Sequence, residues 1–139
     1  MEAGTIRREM KLKARKEKLD ELLRTLEGDL EKAGCPPEKQ AVVLICAEEI
    51  FVNIASYAYE GGDGFAWIEE SVGTNTVSLC LRDQGKPYDP LKREDPDITL
   101  TAQEREVGGL GVFMVKQMAD SVSYEYQSGF NCLAMTFSW

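Results

Sequence analysis

Histidine is absent from all 139 residues, and that absence removes whole classes of chemistry. A Ser-His-Asp or Cys-His nucleophile system and an autophosphorylated histidine are excluded within this chain. Cysteine is sparse: Cys35, Cys46, Cys80 and Cys132 are widely scattered with no Cys-x-x-Cys pair. Neither a zinc site nor a disulfide framework is suggested, and reduced, partly buried thiols are the expectation. No uninterrupted run of about eighteen apolar residues occurs, and the N-terminus carries charges where a signal peptide has its apolar segment. A cytoplasmic location is therefore expected. Positive charge is short as well. The net charge is −8, with residues 1–40 near balance and the excess acid following them. Such a chain attracts neither nucleic acid nor anionic lipid, so no direct nucleic-acid partner and no membrane is expected. Catalysis must then use carboxylates or a metal.

What remains is ample for a core, since 43% of residues are hydrophobic and 29% charged. Residues 1–139 read as one domain. Alternation over residues 5–14 puts Ile6, Met10, Leu12 and Ala14 on one face and Arg7, Glu9, Lys11 and Lys13 on the other, a half-exposed edge strand. Leu19, Leu22, Leu23, Leu26, Leu30 and Ala33 recur at helical spacing until Gly34-Cys35-Pro36-Pro37 stops the chain. Pro37 suits the first turn of a second helix, which runs to about Tyr57. Residues 65–72 and 76–82 read as a hairpin, and residues 121–127 and 132–138 as a second one. Between them, polar residues 88–107 read as a lid, and Gly108-Gly109-Leu110-Gly111 opens a short helix. The order is strand, helix, helix, two strands, lid, helix, two strands. It predicts an α+β fold: a two-layer α/β sandwich with a mixed, mostly antiparallel sheet and its helices on one face.

Three polar features interrupt this pattern. Glu49 and Asn53 sit four apart in an otherwise apolar helix, so they share a face and need a partner or water. Glu48 falls on the polar side. Asp83-x-Gly85 directly follows a strand. It fits a turn, and it equally fits a carboxylate placed to accept a hydrogen bond from an exocyclic amine. Gly108-Gly109-Leu110-Gly111 offers bare N–H groups and the positive end of a helix dipole to phosphate oxygens, or serves as a plain loop-to-helix junction. It is neither a P-loop nor a Rossmann fingerprint, because no Gly-Lys-Ser/Thr follows and no strand precedes it.

Together and in this order, the three segments resemble the N, G1 and G2 boxes of the Bergerat-type ATP-binding fold shared by gyrase, histidine kinases, MutL and a class of heat-shock chaperone. Asp83-Gln84-Gly85-Lys86-Pro87-Tyr88-Asp89-Pro90 followed by Gly108-Gly109-Leu110-Gly111-Val112-Phe113-Met114-Val115-Lys116 resembles the anti-sigma-factor serine/threonine kinases of bacterial sporulation and stress regulation. The resemblance implies ATP and Mg²⁺ as cofactors. By it, Asn53 is a Mg²⁺ ligand, Glu49 a general base for a partner hydroxyl, and Asp83 the reader of the adenine amine, with Gly85 letting the base lie against the backbone. Gly108, Gly109 and Gly111 wrap phosphate, and Thr136 lies near adenine. Arg105 is read as a solvated lid residue, and Tyr57 and Tyr59 as core packing. The implied partners are a sigma factor, an anti-sigma-factor antagonist protein and a second copy of the chain, met through the N-terminal strand and helix. The competing readings are a nucleotide-dependent regulatory module without phosphotransfer and a catalytic fragment of a two-component sensor.

Overall fold

A left-handed glycine sets the first turn of the fold. Gly34, at φ 78°, follows the helix α1 (Leu19–Lys32), its N–H bonding Glu31 O at 3.1 Å while Cys35 N–H reaches back to Leu30 O at 3.0 Å. This pair of bonds closes a helix end around a residue without a β-carbon. Pro37 then opens α2 (Pro37–Asn53) at the position where its missing N–H is harmless. The computed structural model describes residues 5–60, 62–92 and 109–139.

Five strands form one sheet: β1 (Ile6–Lys13), β2 (Phe65–Gly73), β3 (Thr76–Asp83), β4 (Ser121–Gln127) and β5 (Phe130–Ser138). Their order is β1-β2-β3-β5-β4, and every pairing is antiparallel, so the sheet expected as mixed and mostly antiparallel is antiparallel throughout these strands. β1 lies at an edge, as its charged face predicts. Two-residue turns close both hairpins, with Asn75 at φ 62°, and Ser128 and Gly129 at φ 54° and 86°. The second turn, with both φ positive, matches the right-handed strand twist, and the short loops lock the register.

Alternation then sends one row of each strand inward. Ala66, Ile68 and Val72 of β2, Val77, Leu79 and Leu81 of β3, and Leu133, Met135 and Phe137 of β5 are buried. Against them pack Leu22, Leu26 and Leu30 of α1, Val43, Cys46, Ala47, Ile50 and Phe51 of α2, and Val115 of α3 (Gly109–Met118). α2 is the central helix of this layer. Beyond Asn53 it continues as a wider π-turn, Ile54–Ala58, a local feature often found at functional sites. The 22 residues Pro37–Ala58 are long and apolar enough by composition to cross a membrane, a qualification of what the run lengths alone indicate. Their apolarity has a local cause, since this helix supplies the middle of the core.

Three polar residues of the inward rows are buried: Glu70 on β2, Asp83 on β3 and Asn131 on β5. Glu70 belongs to a cluster remote from the candidate site. Arg8, on the inward-facing row of β1 with Ile6, Met10 and Leu12, donates to Asp29 of α1 through Nε at 2.8 Å and Nη2 at 3.0 Å. Its Nε is 3.7 Å from Glu70 Oε1. Burial and the neighbouring Asp29 carboxyl push Glu70 up to about 8, while the Arg8 guanidinium holds Asp29 below the usual range. A neutral Glu70 beside an ionised Asp29 leaves Arg8 with one full counter-charge.

Candidate functional site

The face of α2 that carries Ile50, Asn53, Ile54, Tyr57 and Ala58 forms one wall of a cavity of about 650 Å³. These positions are i, i+3, i+4, i+7 and i+8, a single helical stripe. Leu81 and Asp83 of β3 and Leu133 and Asn131 of β5 form its floor, and Lys86, Pro87, Tyr88 and Tyr124 form its rim. The lining is largely apolar with a few convergent polar groups, the usual composition of a small-molecule site.

Asp83 ends the inward row of β3 and is buried. Its Oδ1 accepts hydrogen bonds from Gly85 N–H and from Asn131 Nδ2, each at 2.9 Å. The first bond is an Asx-turn, so the turn reading of Asp83-x-Gly85 is correct. The amine-reading role is compatible with it, because among the described residues no hydrogen bond falls on Oδ2. A carboxylate oxygen between apolar walls fits the exocyclic amine of a flat base.

Two of the glycines lie in tight contact with neighbouring groups. A β-carbon at Gly85 would collide with the carbonyl oxygen of Ala58. Glycine here admits the end of α2, and the π-turn presents the Ala58 carbonyl at that point. At Gly111, in the first turn of α3, a β-carbon would collide with Oε2 of Glu49. The glycine-rich start of α3 thus sits against the carboxylate that shares a helix face with Asn53. Gly109 opens α3, while Gly108, Arg105 and the lid from residue 93 onward lie outside the described residues.

Glu49 is half-buried, and burial followed by repulsion from Glu48 raises its carboxyl above the usual range. Glu48 is exposed, as its place on the polar side predicts. Glu49 does not line the cavity itself; it stands one turn before Asn53, toward α3. The cavity therefore brings Asn53 and Asp83 together, and α3 brings Gly111 to Glu49.

Thr136 is not part of this assembly. It belongs to the outward row of β5 with Cys132 and Ala134, its hydroxyl is bonded to that of Ser121, and it lines a shallow groove on the opposite face of the sheet. Residues an odd number apart on a strand face opposite ways, so the inward polar position of β5 is Asn131. The sequence signal for it existed: Asn131 is the single polar member of the row Asn131, Leu133, Met135 and Phe137. The two tyrosines differ from each other. Tyr57 is 52% exposed and lines the cavity. Tyr59 lies over Gly64, and its hydroxyl donates to Phe65 O and accepts from Gln84 N–H. Tyr59 still packs against the core, whereas Tyr57 departs from core packing because the π-turn ends α2 at the cavity mouth.

A helical layer on an antiparallel sheet, with a buried carboxylate at the floor of an apolar cavity and a glycine-rich helix start beside a Glu-x-x-x-Asn face, is the architecture of a nucleotide-binding α+β domain. The chain belongs to the histidine kinase-like ATPase domain family, whose sequence profile matches residues 12–137. It is similar to serine/threonine-protein kinase BtrW of Bordetella bronchiseptica, 29% identical over 93 residues that span 66% of each chain. It is also similar to serine-protein kinase RsbW of Bacillus pumilus, 29% identical over 135 residues, 92% of this chain and 83% of the relative. The protein of the same name from Listeria monocytogenes is 26% identical over 110 residues, 76% and 70% of the two chains.

Proposed function

We propose that the protein is a Mg-ATP-dependent serine/threonine kinase that acts on an anti-sigma-factor antagonist protein and binds a sigma factor. The observation that carries this reading is the contact of Gly111 with Glu49, one turn from the cavity-lining Asn53. It sets the glycine-rich helix start, read as phosphate-binding, against a carboxylate of raised proton affinity, and this supports a phosphotransfer site. The relatives named as serine kinases support it.

Bound Mg-ATP supplies the phosphoryl group and the charge neutralisation for its transfer. In this reading Asn53 offers an amide oxygen to the metal, a hard ligand suited to Mg²⁺. Glu49 orients a partner's hydroxyl and takes its proton, Asp83 accepts from the base amine, and the N–H groups of Gly109 and Gly111 face phosphate, with Gly108 preceding them. The free thiols accord with a cytoplasmic setting. The exposed edge β1 offers unpaired backbone for a second copy of the chain, and a monomeric sedimentation mass at high concentration would remove that element of the proposal.

The test is incubation with Mg-ATP and candidate antagonist proteins, comparing the wild type with Glu49→Ala. Phosphoserine or phosphothreonine on the antagonist, lost in the variant while nucleotide binding persists, establishes the kinase. Nucleotide binding with no transfer to any partner establishes a regulatory module instead.

A further inference from the structure

Asn131 is buried, lies directly opposite Asp83 in the β3–β5 register, and uses its whole hydrogen-bonding capacity. Its Nδ2 donates to Asp83 Oδ1 at 2.9 Å, to Lys86 O at 2.9 Å and to Gly85 O at 3.3 Å. Its Oδ1 accepts from Tyr88 N–H at 3.0 Å and from the Tyr124 hydroxyl. The amide orientation is determined by these neighbours, since one side presents acceptors alone and the other presents donors. A single side chain thereby ties the end of β3, the loop 84–88 and β4 together at the floor of the cavity.

We infer that Asn131 is a positioning residue that sets base selectivity: by engaging Oδ1 of Asp83 it leaves Oδ2 as the one carboxylate oxygen free to meet the base. The inference rests on the reading of the cavity as a nucleotide site. A carboxylate held by the Gly85 N–H alone can turn about its terminal torsion, which has a broad energy well. Held by two donors on the same oxygen, it presents one acceptor in one direction. That arrangement favours a purine with an amine at the edge it faces and repels one with a carbonyl there, because two acceptors meeting without a proton leave both desolvated and unpaired. Tyr124 supports the arrangement from behind by donating to Asn131 Oδ1, and its own oxygen accepts from Tyr88 N–H at 3.2 Å.

The experiment measures ATP and ITP affinities by displacement of a fluorescent ATP analogue, for the wild type, Asn131→Leu, Tyr124→Phe and Asp83→Asn. Leucine keeps the branched shape of Asn131, with somewhat bulkier ends, and removes every polar contact. The expected result is a fall of about tenfold in ATP affinity for Asn131→Leu with a much smaller change for ITP, as follows from losing one charge-assisted hydrogen bond that orients the reader. Tyr124→Phe narrows the ATP-to-ITP ratio in the same direction by less, and serves if the leucine variant does not fold. An equal loss for both nucleotides, or an unchanged ratio in both variants, overturns the inference in favour of simple structural support. Unchanged ATP affinity in Asp83→Asn overturns the base-reading site itself, whatever Asn131 does.

Discussion

Gly111 and Glu49 are in contact across α3 and α2, and the contact leaves no room for a β-carbon at residue 111. Alanine is favoured over glycine inside a helix by about 1 kcal/mol, so glycine in α3 is a concession of helix stability to space. Gly111→Ala must move either Glu49 or the start of α3. The expected outcome is a protein of near-native melting temperature whose phosphotransfer to the antagonist falls by at least about tenfold, on the general sensitivity of reacting groups to small displacements. Melting curves beside phosphorylation rates on one preparation check it, and wild-type rates would show the contact to be incidental.

The raised proton affinity of Glu49 fixes the sign of a pH effect on rate. On the proposal that Glu49 is the general base, which works when ionised, activity is lost as pH falls through its raised value, and the acid limb of kcat/KM lies higher than an unperturbed glutamate would place it. Burial is the main cause and the charge of Glu48 adds to it. Glu48→Gln is therefore expected to move the limb a little toward lower pH. A pH–rate profile of both proteins measures the displacement.

Gly85 is close to backbone, and backbone does not swing aside as a flexible side chain does. Its β-carbon would meet the carbonyl oxygen, carbon and Cα of Ala58. Gly85→Ala is expected to destabilise the fold by about 1–3 kcal/mol, the usual range for overpacking. Nucleotide affinity falls with it, because the loop it displaces holds Lys86 and Tyr88 against Asn131. Urea unfolding gives the first quantity and nucleotide titration the second.

The Glu70–Asp29–Arg8 cluster gives stability a pH slope. Glu70 keeps its proton to about 8 in the folded chain, whereas an ordinary glutamate loses it near 4.5. Between these values the folded state binds more protons than the unfolded one, so stability falls as pH rises through that window. Asp29, held low chiefly by Arg8, acts the other way: its contribution is present above the ordinary aspartate range and is lost as pH falls through the depressed value. Glu70→Gln keeps the volume and removes the titration. Its urea midpoint is expected to vary less than the wild type's between about pH 5 and pH 8, an interval bounded by those proton affinities. Parallel curves for the two proteins would show that Glu70 is not the source.

Local periodicity carried much of the fold. Leu22, Leu26 and Leu30 at helical spacing, Pro36-Pro37 after Gly34, and alternation in the strands placed each helix and strand within a few residues. Glu49 and Asn53 were legible for the same reason, since a spacing of four on a helix is a statement about a face. Thr136 was misplaced by phase. On a strand a shift of one residue exchanges the two faces, and the register that fixes the phase comes from the Ser128-Gly129 turn and pairing with β3.

The sequence by itself determined the order of the elements, their apolar faces and the polar residues that interrupt those faces, because propensity, capping and periodicity act over a few neighbouring residues. Only the tertiary structure decided which interruptions meet. Asp83 meets Asn131 48 residues later, Arg8 meets Asp29 21 residues later, and Gly85 and Gly111 are filled by Ala58 and Glu49. Those meetings are set by strand register and by helices packing on one sheet, so a buried polar group finds its partner where the fold brings it rather than where the chain is near.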